Sequence, residues 1–66
     1  MSLHTDSRRN RMRLCLEESA MSISELKALF GISQAQVYRD LRVLRESGQQ
    51  VAAVKIDGEV RYMVLV

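Results

Sequence analysis

Residues 22–44 read SISELKALFGISQAQVYRDLRVL, and two helical patterns meet in this stretch at a single Gly-Ile-Ser. Ser22-Ile23-Ser24-Glu25 has capping-box spacing, a hydroxyl at the N-cap and a carboxylate three residues on. Each side chain can satisfy a backbone N–H that the helix start leaves free. Ile23, Leu26, Leu29 and Phe30 supply the apolar face, and Gly31 ends the helix where a left-handed residue is needed. Two residues later Ser33-Gln34-Ala35-Gln36 repeats the box with Gln in place of Glu. Val37, Leu41 and Leu44 follow at i, i+4 and i+7, a buried stripe that Gly48 closes. The other side of this helix carries Gln34, Gln36, Tyr38, Arg39, Arg42 and Arg45.

Working outward, the period changes after Gly48. Residues 51–56 and 60–66 are β-prone, and Asp57-Gly58 stands between them. Asp-Gly between two apolar runs predicts a hairpin, because both central residues tolerate positive φ. Towards the N-terminus a first helix is predicted over about Ser7 to Ser19, with Met12, Cys15, Leu16 and Ser19 facing the core and Leu14 off that stripe. Arg8, Arg9, Arg11 and Arg13 fill its first half, either as a solvated face or as phosphate contacts. Residues 1–6, with His4, read as a loose tail, and residues 7–66 as the domain. The element order is helix, helix, helix, hairpin, an α+β arrangement.

Sixty-six residues suffice for one domain. A chain of this size buries only about 60% of the surface exposed by its unfolded form, so stability is expected to be marginal. Cys15 is the single cysteine and His4 the single histidine. Neither an internal disulfide nor a Cys/His zinc cluster can be assembled from them. The 47% apolar content supports a compact core, and a net charge of +2 with a pI near 9.1 suits a polyanionic partner. No apolar run follows the N-terminal arginines as a secretion signal requires, and none approaches the ~20 residues needed to cross a bilayer. A cytoplasmic, nucleoid-associated protein with no membrane partner is expected.

A short turn holding Gly, followed by a capped helix with a clean buried stripe, is a helix-turn-helix. The first helix of the pair braces the second, which can project into a DNA major groove wide enough for one helix. Gln34, Gln36 and Arg39 are residue types that read base edges there. Arg42 and Arg45 lie further along and suit phosphates. The hairpin is then the wing of a winged helix-turn-helix, with Lys55 and Arg61 within reach of phosphates.

Residues 22–51 resemble the N-terminal winged helix-turn-helix domain of DeoR-type bacterial transcriptional regulators, and also small fimbrial winged-helix regulators. The resemblance is carried by Ser-Ile-Ser-Glu-Leu at 22–26, Leu-Phe-Gly-Ile-Ser at 29–33 and Val-Tyr-Arg-Asp-Leu at 37–41, followed by Leu44 and Gly48. It implies that Ser33 caps the recognition helix, residues 33–47, and that Gln34, Gln36 and Tyr38 point at bases or phosphates. It makes Arg39 a DNA contact and Asp40 structural, paired with a nearby arginine. Three departures stand out: Gln36 for the usual Thr, Tyr38 for the first Arg of Arg-Arg-Asp, and an acidic wing tip at Asp57-Gly58-Glu59.

The function expected is sequence-specific binding of double-stranded DNA by a small transcriptional regulator. The competing reading is a protein-interaction module using the apolar Met63-Val64-Leu65-Val66 terminus. A homodimer through the C-terminal strand or the first helix would place two recognition helices on neighbouring half-sites. Recognition of left-handed nucleic acid by a wing with Pro and Trp is disfavoured, since both residues are absent. No paired acid and base, Gly-rich phosphate loop or metal-ligand spacing is present. No enzymatic activity, cofactor, metal or small-molecule effector is therefore expected.

Overall fold

Caps and turn residues set the element boundaries in the computed structural model, which describes residues 3–66, with side chains from Ser7 onward. The elements are α1 (Leu3–Glu18), α2 (Ile23–Phe30), α3 (Gln34–Glu46), β1 (Gln50–Ile56) and β2 (Glu59–Leu65). Helix α1 begins at Leu3, earlier than the expected Ser7. Met1 and Ser2, the start of the segment read as a tail, lie outside the described residues.

The capping box of α2 is complete. Ser22 Oγ accepts from the Glu25 amide at 3.1 Å, and Glu25 Oε1 accepts from the Ser22 amide at 3.0 Å. A cap of this kind contributes about 1 kcal/mol. At the other end Gly31 takes φ 63°, and the Gly31 and Ile32 amides both donate to the Lys27 carbonyl. Helix α3 therefore starts almost at once, after Ile32 and Ser33. It ends in a Schellman arrangement, with the Gly48 amide on the Arg45 carbonyl and the Gln49 amide on the Leu44 carbonyl.

The core is built from Met12 and Leu16 of α1, Leu26 of α2, Val37, Leu41 and Leu44 of α3, and Val64 of β2. Met21, Ile23, Phe30, Ile32, Val51 and Tyr62 pack around it. Leu29 does not join them and is 55% exposed. A helix advances about 100° per residue, so Ile23, Leu26 and Phe30 share an arc of about 60° while Leu29 falls about 60° beyond its edge. On α1, Cys15 is half-buried and Ser19 exposed, so the expected stripe narrows to Met12 and Leu16; Leu14 lies outside it.

The hairpin is antiparallel, with Val51 opposite Val64, Ala53 opposite Tyr62 and Lys55 opposite Val60. Its two-residue loop is Asp57-Gly58, with φ of 52° and 80°. Positive φ at both positions matches the strand twist, as the sequence predicted. The β2 edge is tied to the segment before α2 by a bridge between Met21 and Tyr62, with bonds of 2.9 and 2.8 Å. Three helices followed by this two-stranded ribbon form an α+β winged helix-turn-helix.

Candidate nucleic-acid interface

Helix α3 divides sharply into two faces. One buries Val37, Asp40, Leu41 and Leu44. The other exposes Gln34, Tyr38, Arg39, Arg42 and Arg45. Among the described residues none of these three arginines makes an ion pair. Arg39, Arg42 and Arg45 repeat every third residue, about 4.5 Å apart along the axis, and form a cationic strip. Ala35, Tyr38, Arg39 and Arg42 line a shallow cavity of about 300 Å³ on this side. A guanidinium fork matches a phosphate or the O6/N7 edge of guanine, so the strip is chemically suited to either. Tyr38 is 46% exposed and packs its ring against Tyr62 edge to face, with centroids 6.5 Å apart. That contact joins the open face of α3 to the hairpin. Burial, and then the neighbouring Tyr38, push the Tyr62 hydroxyl pKa above its ordinary value.

Asp40 is the one fully buried charge of the described core. Its Oδ2 accepts from Arg8 Nε at 2.7 Å. Its Oδ1 accepts from Arg8 Nη2 at 3.0 Å, Arg9 Nε at 3.0 Å and Gln36 Nε2 at 2.8 Å. Burial alone would raise the carboxyl pKa. The hydrogen bonds from Arg8, Gln36 and Arg9 outweigh it and hold the group below the usual carboxylate range. The expected arginine partner of Asp40 is thus a pair, and it comes from α1. Arg13 is engaged with Glu17 at 2.6 Å and with Asn10 at 2.7 Å. Of the four α1 arginines, only Arg11 makes no ion pair among the described residues.

Gln36 departs from its expected part. Ser33 Oγ accepts from the Gln36 amide at 3.1 Å, but the Gln36 side chain does not turn back to the cap. The ionised carboxylate one turn along is the stronger acceptor, and the amide goes to it. Half a capping box remains, and Gln36 is half-buried where Gln34 is exposed.

The two hairpin cations differ. Lys55 is exposed, on the ribbon face shared with Tyr62 and next to the tip. Arg61 lies on the opposite ribbon face and is occupied. Its Nη1 reaches Glu25 Oε1 at 2.9 Å and the Ala20 carbonyl at 3.3 Å, and its Nη2 lies 3.8 Å from Glu59. The Ser22 amide and then Arg61 hold Glu25 below the ordinary carboxylate pKa. A groove of about 530 Å³ runs between the α2 start, Tyr38 and β2.

The structure thus gathers Gln34, Tyr38, Arg39, Arg42 and Arg45 on one surface. Lys55 stands apart at the ribbon tip, Arg61 is turned to partners within the fold, and Gln36 commits its amide nitrogen to Asp40. The Arg8 and Arg9 pairing was legible in principle. Both residues sit at i−4 and i−3 from Met12, and Asp40 sits at i+3 from Val37. Opposite charges on two buried stripes must meet or be desolvated alone.

Among the described residues, no group of three or more His, Cys, Asp or Glu side chains could hold a metal ion. No described helix is long and apolar enough to cross a membrane. Among curated proteins and solved structures, none matches the chain. A family model of the helix-turn-helix domain matches residues 6–48, from the first turns of α1 through the glycine that closes α3. With the braced joint, the capped α3 and well over half the sequence accounted for, the chain belongs to the helix-turn-helix domain family.

Proposed function

We propose that the protein binds double-stranded DNA in a sequence-specific manner, as a small bacterial transcriptional regulator of the DeoR-like winged-helix kind. Helix α3 enters the major groove. Gln34, Gln36 and Arg39 face base edges, while Tyr38, Arg42, Arg45 and Lys55 meet the backbone or flank it. The observation that carries this reading is the open face of α3, where Arg39, Arg42 and Arg45 stand exposed without ion pairs among the described residues. Uncompensated arginines on a rigidly capped helix favour a polyanion of matching width. Arg61 contributes to DNA binding only after release from Glu25, and so ranks below the others.

Fluorescence anisotropy against random duplex DNA tests this. With about 4–6 phosphates neutralised, log affinity should fall against log salt with a slope of roughly −4 to −5. A folded protein that binds no duplex at low salt overturns the proposal.

A second reading, a protein-interaction or homodimer surface, is favoured by Ile56, Val60, Leu65 and Val66, which are all at least 44% exposed. It predicts association that is insensitive to salt and lost on Leu65→Asp, with α3 variants neutral. Sedimentation of the wild type and that variant distinguishes the two readings.

A further inference from the structure

The contact between Gln36 and Asp40 has a polarity that bears on base choice. Gln36 is held to the carboxylate by Nε2, at 2.8 Å from Oδ1. Rotating the amide by half a turn would set Gln36 Oε1 against Oδ1 at the same distance, two acceptors with no proton between them. Asp40 cannot turn away, because Arg8 grips both its oxygens and Arg9 holds Oδ1 again. Among the described residues Gln36 Oε1 takes no hydrogen bond, and no buried side-chain oxygen or nitrogen lacks a partner. Oε1 is therefore not buried, and with about 100° of rotation per residue Gln36 stands about 60° from Arg39, at the edge of the open face of α3.

We propose that Gln36 is a specificity-determining residue, locked by Asp40 so that it presents a carbonyl acceptor to the groove and selects bases carrying an exocyclic amino group. The inference rests on the DNA-binding reading above and adds the sign of one contact. In the major groove, adenine offers N6–H₂ and cytosine N4–H₂ as donors, whereas guanine presents O6 and N7 and thymine O4 as acceptors. A fixed carbonyl pairs with the first two and repels the second two. An unconstrained glutamine could rotate its amide and accept either class. Asp40 acts here as a positioning residue, and Arg8 and Arg9 fix it in turn. Residues on α1 that never approach DNA would thus set what α3 reads.

The test uses the full chain and three readouts. First, duplexes selected from a randomised library define the preferred site, and anisotropy compares its four single-pair variants at each position. One position should favour adenine or cytosine over guanine by roughly 5- to 150-fold. Gln36→Ala should flatten that position alone, leaving the salt slope unchanged. Second, in Asp40→Asn the introduced side chain can donate to Gln36 Oε1 and turn Nε2 outward, moving the preference towards guanine or thymine. Third, the Gln36 side-chain amide protons of the wild type should show slowed exchange and a shift that titrates with a carboxylate at acid pH. This readout needs no variant and stands even if Asp40→Asn fails to fold.

Salt-dependent DNA binding with the same base preferences in wild type and Gln36→Ala overturns the inference while leaving the DNA-binding reading intact. A solvent-like Gln36 amide, or a folded Asp40→Asn with wild-type preference, overturns the locking by Asp40. Absence of salt-dependent binding to any duplex sinks both the inference and the function on which it rests.

Discussion

Helix α3 and the hairpin behind it both carry cations, and they handle them in opposite ways. On α3, Arg39, Arg42 and Arg45 stand exposed with no ion pair among the described residues. On the ribbon, Arg61 is folded against Glu25 and the Ala20 carbonyl, and the tip carries Asp57 and Glu59 beside it. The buried side of α3 shows the same economy, for Arg8 and Arg9 are both committed to Asp40. Position in the fold decides which arginines can act outwardly, and the net charge of +2 conceals that division. Structural ion pairs absorb Arg8, Arg9 and Arg13 of α1 and Arg61 of the ribbon, and α3 keeps three exposed arginines side by side.

This contrast can be broken most violently at Asp40. Asp40→Ala leaves two arginine heads at a desolvated junction and should cost about 3 kcal/mol, read as a fall in the urea midpoint. In a domain this small that approaches loss of the fold. The same cluster gives an acid limb. The folded Asp40 pKa is depressed, so its stabilisation is fully present above the unfolded value of about 3.9 and is lost as pH falls through the lower folded value. Thermal melts should be flat in this respect from neutrality to about pH 5, then decline below about pH 4, and decline less steeply in Asp40→Asn.

Next come the open arginines. Arg39→Ala and Arg42→Ala should each weaken DNA binding, and a phosphate-contacting one should reduce the salt slope by about 1. Neither should move stability by more than about 0.5 kcal/mol. Arg61→Ala should change the salt slope less than either, because Arg61 must first leave Glu25. Equal slopes for Arg61→Ala and Arg42→Ala would erase the distinction drawn between ribbon and helix.

Gly31→Ala addresses the joint that aims α3. A Cβ at Gly31 would meet nothing within 4 Å, so its cost is purely that of a side chain at φ 63°. About 1 kcal/mol is expected, which for a domain of this size lowers the melting temperature by roughly 4–8 °C. The smallest effect belongs to the wing. Arg61 pairs with a Glu25 that is close to half exposed, so solvent screens the pair and its contribution should be small enough to need a double-mutant cycle to detect.

Some signals are legible in the sequence because their physics is local. Ser22 and Glu25 are three residues apart, and their reciprocal bonds need nothing beyond the helix start. Asp57-Gly58 specifies its own turn, and Val37, Leu41 and Leu44 share a stripe by periodicity alone. Residues whose fate depends on distant partners are not legible in this way. Gln36 has the spacing of a capping residue but meets a carboxylate held in place from α1, 31 and 32 positions away in sequence from Arg9 and Arg8. Arg61 has the composition of a wing cation, but the chain path through Met21 brings it to Glu25. Leu29 is apolar and near the right spacing, and an arc of 60° separates it from burial. The candidate reading surface followed from helical periodicity; its division into free and committed groups required the tertiary structure.

The central claim is that the outward face of α3, and not the ribbon or the C-terminus, meets the partner. Amide NMR spectra of the labelled protein titrated with a duplex at low salt test it most directly. The largest shift changes are expected at Gln34, Tyr38, Arg39, Arg42 and Arg45, fading as salt is raised, with smaller changes at Lys55. Shifts confined to Met63–Val66, or spectra unmoved by DNA while the protein is folded, would contradict it.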